Sequence, residues 1–205
     1  MNKTVALVNL WGAFEEQHPR GTIEDFCRHF LAQQREIPVR SQAFKGDIEG
    51  VLLRTMGRIA KITTILSSAA LEGSEVKSIE EAGLLLYVAA LKQPKKSEAI
   101  YQNLLELSSG VDMLNRLVKR GLLREYPDTE DRRSKRMEVT PNGMKAVEKC
   151  QVQLKKLARM LTKDMSSDNM ALCLMLIKGI DDVFTPIVLN LKNKGFEAIY
   201  KETVG

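Results

Sequence analysis

The sequence predicts a mainly α-helical protein with one small β-hairpin, on three observations. Apolar residues recur at three- and four-residue steps along most of the chain, the period of a helix with one buried face. Two short runs, Leu122–Tyr126 and Arg136–Thr140, flank the polar stretch Pro127–Lys135 as strands flank a hairpin loop. Two short helical segments stand directly before that hairpin. The order is therefore helices, a compact helix-helix-hairpin unit, then more helices.

Each element has its own signal. Leu7, Leu10, Trp11 and Phe14 share a face of a first helix, which His18-Pro19-Arg20-Gly21 ends. Thr22 caps a second helix, with Ile23, Phe26, Cys27, Phe30 and Leu31 on one face. Ile37-Pro38 and Ser41–Gly46 are loop. Asp47 caps a long helix towards Leu71, in which Leu52, Met56, Ile59, Thr63, Leu66 and Ala70 form a seam suited to packing along another helix. Gly73 and Ser74 end it. Ser78 opens a shorter helix containing Leu84, Leu85, Tyr87, Val88 and Leu91; Ser78 and Glu81 are spaced as a capping box, and Pro94 closes the helix. Ser97–Leu105 and Ser108–Arg120 are two short helices, with Gly121 where a C-terminal glycine is expected. Pro141-Asn142-Gly143 starts a long helix with a seam of Val147, Cys150, Leu154, Leu157 and Leu161. A final helix begins at Ser167 or Asp168 and is apolar from Met170 to Leu191, with a kink expected at Pro186. Residues 1–46 are thus a helical extension, and 77–143 the helix-helix-hairpin unit. Residues 47–76 and 144–205 are helices whose seams are expected to make a dimer.

Composition narrows the class. A chain of 205 residues supports one substantial core or two small ones, and 44% hydrophobic with 28% charged residues argues against wholesale disorder. The formal charge of +5 permits a polyanionic partner, but the distribution of charge matters more than its sum. The N-terminus lacks a long apolar core and carries Glu15 and Glu16, unlike a signal peptide, and no apolar run approaches membrane-spanning length. A cytoplasmic protein away from membranes is expected. Cys27, Cys150 and Cys173 are odd in number and widely spaced, which suits a reducing compartment. Cys27, beside Arg28 and His29, is the one candidate sensor thiol, although a structural role is the simpler expectation. His18 and His29 are the only histidines and have no Cys/carboxylate cluster with them, so no metal site is expected. No glycine-rich phosphate loop or nucleophile elbow is present; neither a cofactor nor an enzymatic activity is expected.

The chemistry concentrates between Ser97 and Gly143. Two short helices joined by a tight turn can brace one another while the second enters a major groove. Ser108, Ser109 and Gly110 are small enough to bring that helix's N-terminus, a favourable place for phosphate, close to a backbone. Asp112, Asn115, Arg116 and Lys119 fall on the solvent side, and Val111, Leu114, Leu117 and Val118 on the packing side. The hairpin tip carries Arg132, Arg133, Lys135 and Arg136 beside Glu130 and Asp131. Guanidinium groups on such a projection suit a narrow minor groove. An ion pair between Asp131 and a neighbouring arginine would fix its shape.

The run DRRSKRMEVTPNG, Asp131 to Gly143, resembles the wing signature of MarR-family regulators, an Asp-x-Arg followed by a hydrophobic-Thr-x-x-Gly. Asp131, Arg133, Val139, Thr140 and Gly143 fill those positions, with Val139 where Leu is commoner. LNRLVKRGLLRE resembles the end of the family's recognition helix and its entry into the wing. The resemblance is motif-specific from Ser97 to Gly143 and follows element order from Asp47 to Leu191. It implies a winged helix-turn-helix with N- and C-terminal dimerisation helices, Ser108–Arg120 as recognition helix, and Arg133 as a minor-groove arginine braced by Asp131. It further implies a homodimeric, sequence-specific regulator that binds double-stranded DNA at an inverted repeat and responds to a small lipophilic or aromatic effector. Tyr87, Met56, Trp11 and Phe14 are candidates to line an effector pocket, with core packing the simpler role. Two features depart from the pattern: the turn Asn103–Leu107 lacks the usual glycine, and the first 46 residues exceed the ordinary N-terminal helix. The alternative is a winged-helix protein-interaction adaptor without specific DNA binding.

Overall fold

A computed structural model of the chain describes residues 2–33, 47–131, 133–189 and 195–204. The loop expected over Ile37-Pro38 and Ser41–Gly46, and the wing residue Arg132, lie outside the described residues. The chain divides into two compact units, Met1–Leu52 and Leu53–Gly205.

The first unit holds α1 (Lys3–Gln17) and α2 (Ile23–Gln33). Asn2 caps α1, and Thr22 exchanges hydrogen bonds with Asp25 at the start of α2. Phe14 and Phe26 are buried against each other edge-on, with Trp11 5.3 Å from Phe26, so the aromatic residues give this hairpin a small core of its own. Gly21 lies so close beneath the Phe14 ring that a Cβ there would meet it at 2.6 Å. Cys27 is exposed on α2.

The second unit is built around α4 (Ile79–Leu91), α5 (Lys96–Gln102), α6 (Leu107–Lys119), the antiparallel strands β1 (Leu123–Pro127) and β2 (Lys135–Val139), and α7 (Pro141–Leu161). Most of the long α3 (Ile48–Ala70) belongs to this unit, and Leu71, the residue after it, joins the core. Leu84, Leu85 and Val88 of α4, Ile100 of α5, Leu114 and Leu117 of α6, Met137 of β2, and Val147 and Cys150 of α7 close that core. The apolar steps of α4, α6 and α7 therefore converge on one centre, whereas Leu52 and Ile59 of the α3 seam are exposed. The strands pair with Leu123 opposite Val139 and Pro127 opposite Lys135, one residue displaced from the runs read in sequence. Lys95 extends the hairpin by a bridge to Arg136, and Pro94 accepts the Met137 N–H. Leu122 belongs to the helix end rather than to the strand, because its N–H closes the last turn of α6 on Leu117.

Beyond this core, α8 (Ser167–Leu189) contains Pro186, and α9 (Phe196–Val204) is a short helix not anticipated from the sequence. Leu174, Met175, Leu176, Ile177, Ile180 and Val183 of α8 are exposed. Cys173, within the stretch read as apolar, is exposed as well, whereas Cys150 of the α7 seam is buried. Among the described residues no helix is long and apolar enough to cross a membrane.

Candidate nucleic-acid interface

The amphipathic pattern of α6 sets the interface. Leu114 and Leu117 are fully buried, and Gly110 packs so closely on Ile100 that a Cβ would sit 2.5 Å from its Cγ2. The opposite face presents Ser108, Ser109, Asp112, Asn115, Arg116 and Lys119, all exposed. Steps of four, three and four place Ser108, Asp112, Asn115 and Lys119 on one stripe, with Ser109 and Arg116 alongside it.

Backbone geometry fixes the ends of that helix. Leu104, in the turn between α5 and α6, has φ +52° and supplies the left-handed residue that a glycine usually provides. Its N–H and that of Leu105 close on Tyr101 and Ile100, 2.9 and 3.2 Å away, and Asn103 Nδ2 donates to the Ala99 carbonyl. The missing glycine thus leaves the turn intact, with a leucine bearing a conformational cost of about 1–2 kcal/mol. At the other end Gly121, φ +71°, lets its own N–H reach Val118 and the Leu122 N–H reach Leu117. This closing motif delivers the chain straight into β1.

Charged contacts fasten α6 on two flanks. On one, Lys96 Nζ reaches Asn115 Oδ1 at 2.8 Å and Glu125 Oε2 at 2.6 Å, while Lys135 pairs with the other Glu125 oxygen. Burial pushes the Glu125 carboxyl up, but the two lysines outweigh it and hold the group below its ordinary value. On the other flank Glu81, 2% exposed, accepts Arg116 Nε at 3.2 Å and Arg120 Nη2 at 2.6 Å on one oxygen. Its second oxygen accepts the Lys77 N–H at 2.9 Å, and its own N–H donates to Ser78 Oγ. Burial again raises this carboxyl; hydrogen bonds from Arg120, the Lys77 N–H and Arg116 prevail, leaving it lowered. Arg120 and Lys77 were not singled out from the sequence. Nothing in a local pattern marks a residue whose partner lies 39 positions away.

The wing is braced mainly from within. Asp128 Oδ1 accepts the N–H groups of Glu130 and Asp131 at 2.8 and 2.9 Å, and these two bonds do most to lower its pKa; Oδ2 pairs with Arg136. Arg136 also donates to the Gln93 carbonyl at 2.8 Å. The expected ion pair of Asp131 with an arginine is replaced, among the described residues, by a turn. Asp131 accepts Ser134 Oγ at 2.7 Å and the Arg133 N–H at 3.0 Å, and both lower its pKa. Asp131 therefore braces the backbone of Arg133 and leaves its side chain exposed. At the hairpin base Thr140 Oγ1 donates to the Gly121 carbonyl at 2.6 Å and accepts the Gly143 N–H at 3.0 Å, joining the wing, the end of α6 and α7.

The same fold occurs in known proteins. The PcaV transcriptional regulator from Streptomyces coelicolor, crystallised with its natural ligand, superposes with a TM-score of 0.61 at 17% identity, over 68% of this chain and 97% of that one. A cysteine-to-serine mutant of MarR from E. coli, complexed with operator DNA, gives 0.59 at 20% identity, over 66% and 99%. The chain has the MarR-type winged-helix fold. A probable transcriptional regulator from Pseudomonas aeruginosa shares it at TM-score 0.58 and 16% identity, over 65% of this chain and 97% of its own. In sequence, residues 79–143 match the winged helix DNA-binding domain family, which spans α4 through the first turn of α7. No curated protein matches the sequence. These MarR-type structures are nearly covered end to end, and about a third of this chain lies outside the superposition.

Three of the candidate pocket residues have packing or hydrogen-bond partners, in keeping with the simpler role expected of them. Tyr87 donates its hydroxyl to Glu98 at 3.1 Å, while Trp11 and Phe14 belong to the aromatic core of the first unit. Among the described residues no group of three or more His, Cys, Asp or Glu side chains is placed to hold a metal ion.

Proposed function

We propose that this protein is a sequence-specific DNA-binding transcriptional regulator that reads an inverted repeat as a homodimer. The observation that carries the reading is the exposed stripe of α6 beside an arginine-bearing wing, on a helix fixed at both ends and on both flanks. Ser108 and Ser109 would meet the phosphate backbone at the helix N-terminus, and Asp112, Asn115, Arg116 and Lys119 the major groove. Arg133, with Arg132 beside it, would enter the minor groove; Lys135 and Arg136 would stiffen the strand that carries them while adding positive potential. The activity is binding rather than catalysis, in the cytoplasm and away from membranes.

Residues 47–76 and 144–205 would supply the dimer interface. The apolar side chains that α8 exposes, and Leu53, Ile59, Ile62 and Ile65 exposed on α3, are the surfaces such an interface would bury. A second copy related by a two-fold axis would cover them and space two recognition helices about 34 Å apart, one turn of DNA. A hollow of about 440 Å³ between the end of α3 and α7, lined by Leu71, Glu75, Lys149 and Cys150 among others, is large enough for a small lipophilic or aromatic effector. Such a ligand acts only if it binds the two lobe spacings unequally.

Selection of genomic fragments with the purified protein, followed by footprinting, tests the proposal. The expected result is one enriched palindrome protected in two half-sites a helical turn apart, above a salt-sensitive nonspecific background. Absence of both enrichment and salt-sensitive binding would refute it and favour a protein-interaction role.

A further inference from the structure

Apolar packing sets how close a helix lies to its core but constrains its rotation weakly, because dispersion contacts have little directionality. On α6 the directional constraints are polar. Asn115 and Arg116 are consecutive, hence about 100° apart around the axis, and they are gripped from opposite flanks, by Lys96 and by Glu81. Arg120, one turn beyond Arg116, binds the same Glu81 oxygen, donates Nη1 to the Glu75 carbonyl at 2.5 Å, and returns Nε to the Arg116 carbonyl at 3.2 Å. One buried carboxylate thus spans a full turn of the helix.

We propose that Glu81 is a positioning residue for base reading: it fixes the rotation of α6 and restrains Arg116, so that operator discrimination depends on a side chain that never touches DNA. This rests on the DNA-binding reading above. A rotation of about 20° moves a side-chain end about 5–6 Å from the helix axis by roughly 2 Å. A hydrogen bond to a base edge does not survive that displacement. The Arg116 side chain is 53% exposed, and only its Nε is bound to Glu81, so its terminal nitrogens remain available to DNA while the fork is held at its root. A solvent-open hollow of about 480 Å³, lined by Lys77, Ser78, Glu81, Arg116, Lys119 and Arg120, gives the guanidinium room to swing once released. A carboxylate is also a poor choice for stability alone. An apolar residue of similar volume often stabilises as much as a buried ion pair, but it orients nothing.

Glu81→Gln keeps the shape and removes the charge. In that variant the ratio of operator to random-sequence affinity should fall about tenfold, the worth of one misplaced base contact. Random-sequence affinity at fixed salt should hold or rise, because Arg116 is released and the net charge increases. A mere loss of folding moves both affinities down together in proportion to the folded fraction, and that pattern, or an unchanged ratio in a folded variant, overturns the proposal. Arg120→Lys, which keeps the charge but loses the fork, serves if Glu81→Gln does not fold; its ratio should fall about threefold, and an unchanged ratio overturns the proposal equally. If the unaltered protein enriches no sequence, the DNA-binding reading itself has failed, a result distinct from an unchanged ratio in the variants.

Discussion

Gly143→Ala sets two physical effects against each other, and the structure decides the sign. Gly143 is the third residue of α7, its N–H bound to Thr140 Oγ1 at 3.0 Å. Helix propensity alone favours alanine by about 1 kcal/mol in a helix interior, and less in a first turn. A Cβ at this position, however, would fall inside the contact distance of the Leu122 carbonyl oxygen and 2.7 Å from Val139 Cγ1. The Leu122 carbonyl is backbone and already accepts the Thr140 N–H at 3.0 Å, so it cannot turn aside as a long side chain would. Overpacking of this kind costs about 1–3 kcal/mol, at the upper end when backbone has to move. The net is a destabilisation of about 2 kcal/mol, which lowers the melting temperature of a chain this size by about 4–8 °C. Gly12→Ala, in α1 where nothing lies within 4 Å of the built Cβ, is the control and should stabilise by about 0.5–1 kcal/mol. Circular-dichroism melts and urea titrations at one fixed protein concentration measure both variants. A Gly143→Ala protein melting at or above the wild-type temperature would show that the hairpin base is not held against α7 as described.

Arg133→Ala should weaken DNA binding without changing the melting curve, because its side chain is exposed and the turn is held through its N–H; a salt titration should lose about 0.9 from the slope for each phosphate contact removed. Acid stability gives a third check. Glu81, Glu125 and Asp131 all have lowered pKa values in the folded state, so their contribution is complete above the ordinary carboxylate range, about pH 4, and is lost as pH falls through the lower folded values. Urea stability should therefore be insensitive to these groups from pH 8 to 5 and drop below about 4, with a shallower drop in Glu81→Gln; an identical drop would remove Glu81 from the account. Finally, alkylation of the folded protein should modify the exposed Cys27 well before Cys150, which is buried and whose thiol is pushed up by that burial and then by Glu75.

The fold was legible in the sequence wherever a local pattern is also the cause. The three- and four-residue steps of Leu84, Val88, Leu114 and Leu117 do build the core, and Ser78, Asp47 and Gly121 act at helix ends as their types predict. Two local readings needed the third dimension. Leu104 adopts the left-handed conformation despite its Cβ, because the chain on either side is tied to Ile100 and Tyr101. Glu81 reaches the Lys77 N–H rather than that of Ser78, since its other oxygen is drawn to two arginines of α6. The helix α9 was not read at all: its nine residues carry only a brief apolar period, the weakest kind of helical signal.

Charge was the property least legible from sequence, and the reason is general. A run of arginines and lysines shows how much positive charge a segment carries but not where that charge is directed. In the wing, Lys135 is committed to Glu125 and Arg136 to Asp128 and the Gln93 carbonyl, and on α6 the Nε of Arg116 is committed to Glu81. These cations hold the shape of the interface. Among the described candidates, Lys119 and Arg133 are exposed and form no ion pair with a described residue. A paired cation still contributes to the field close to it, but its carboxylate partner cancels most of that contribution at distances larger than the pair's own separation, and salt screens what remains over about 8 Å. Among these candidates the net attraction therefore comes from Lys119 and Arg133, while the paired ones keep α6 and the wing in register. For that reason, substituting Lys135 or Arg136 should change shape and discrimination, and substituting Lys119 or Arg133 should change affinity and its dependence on salt.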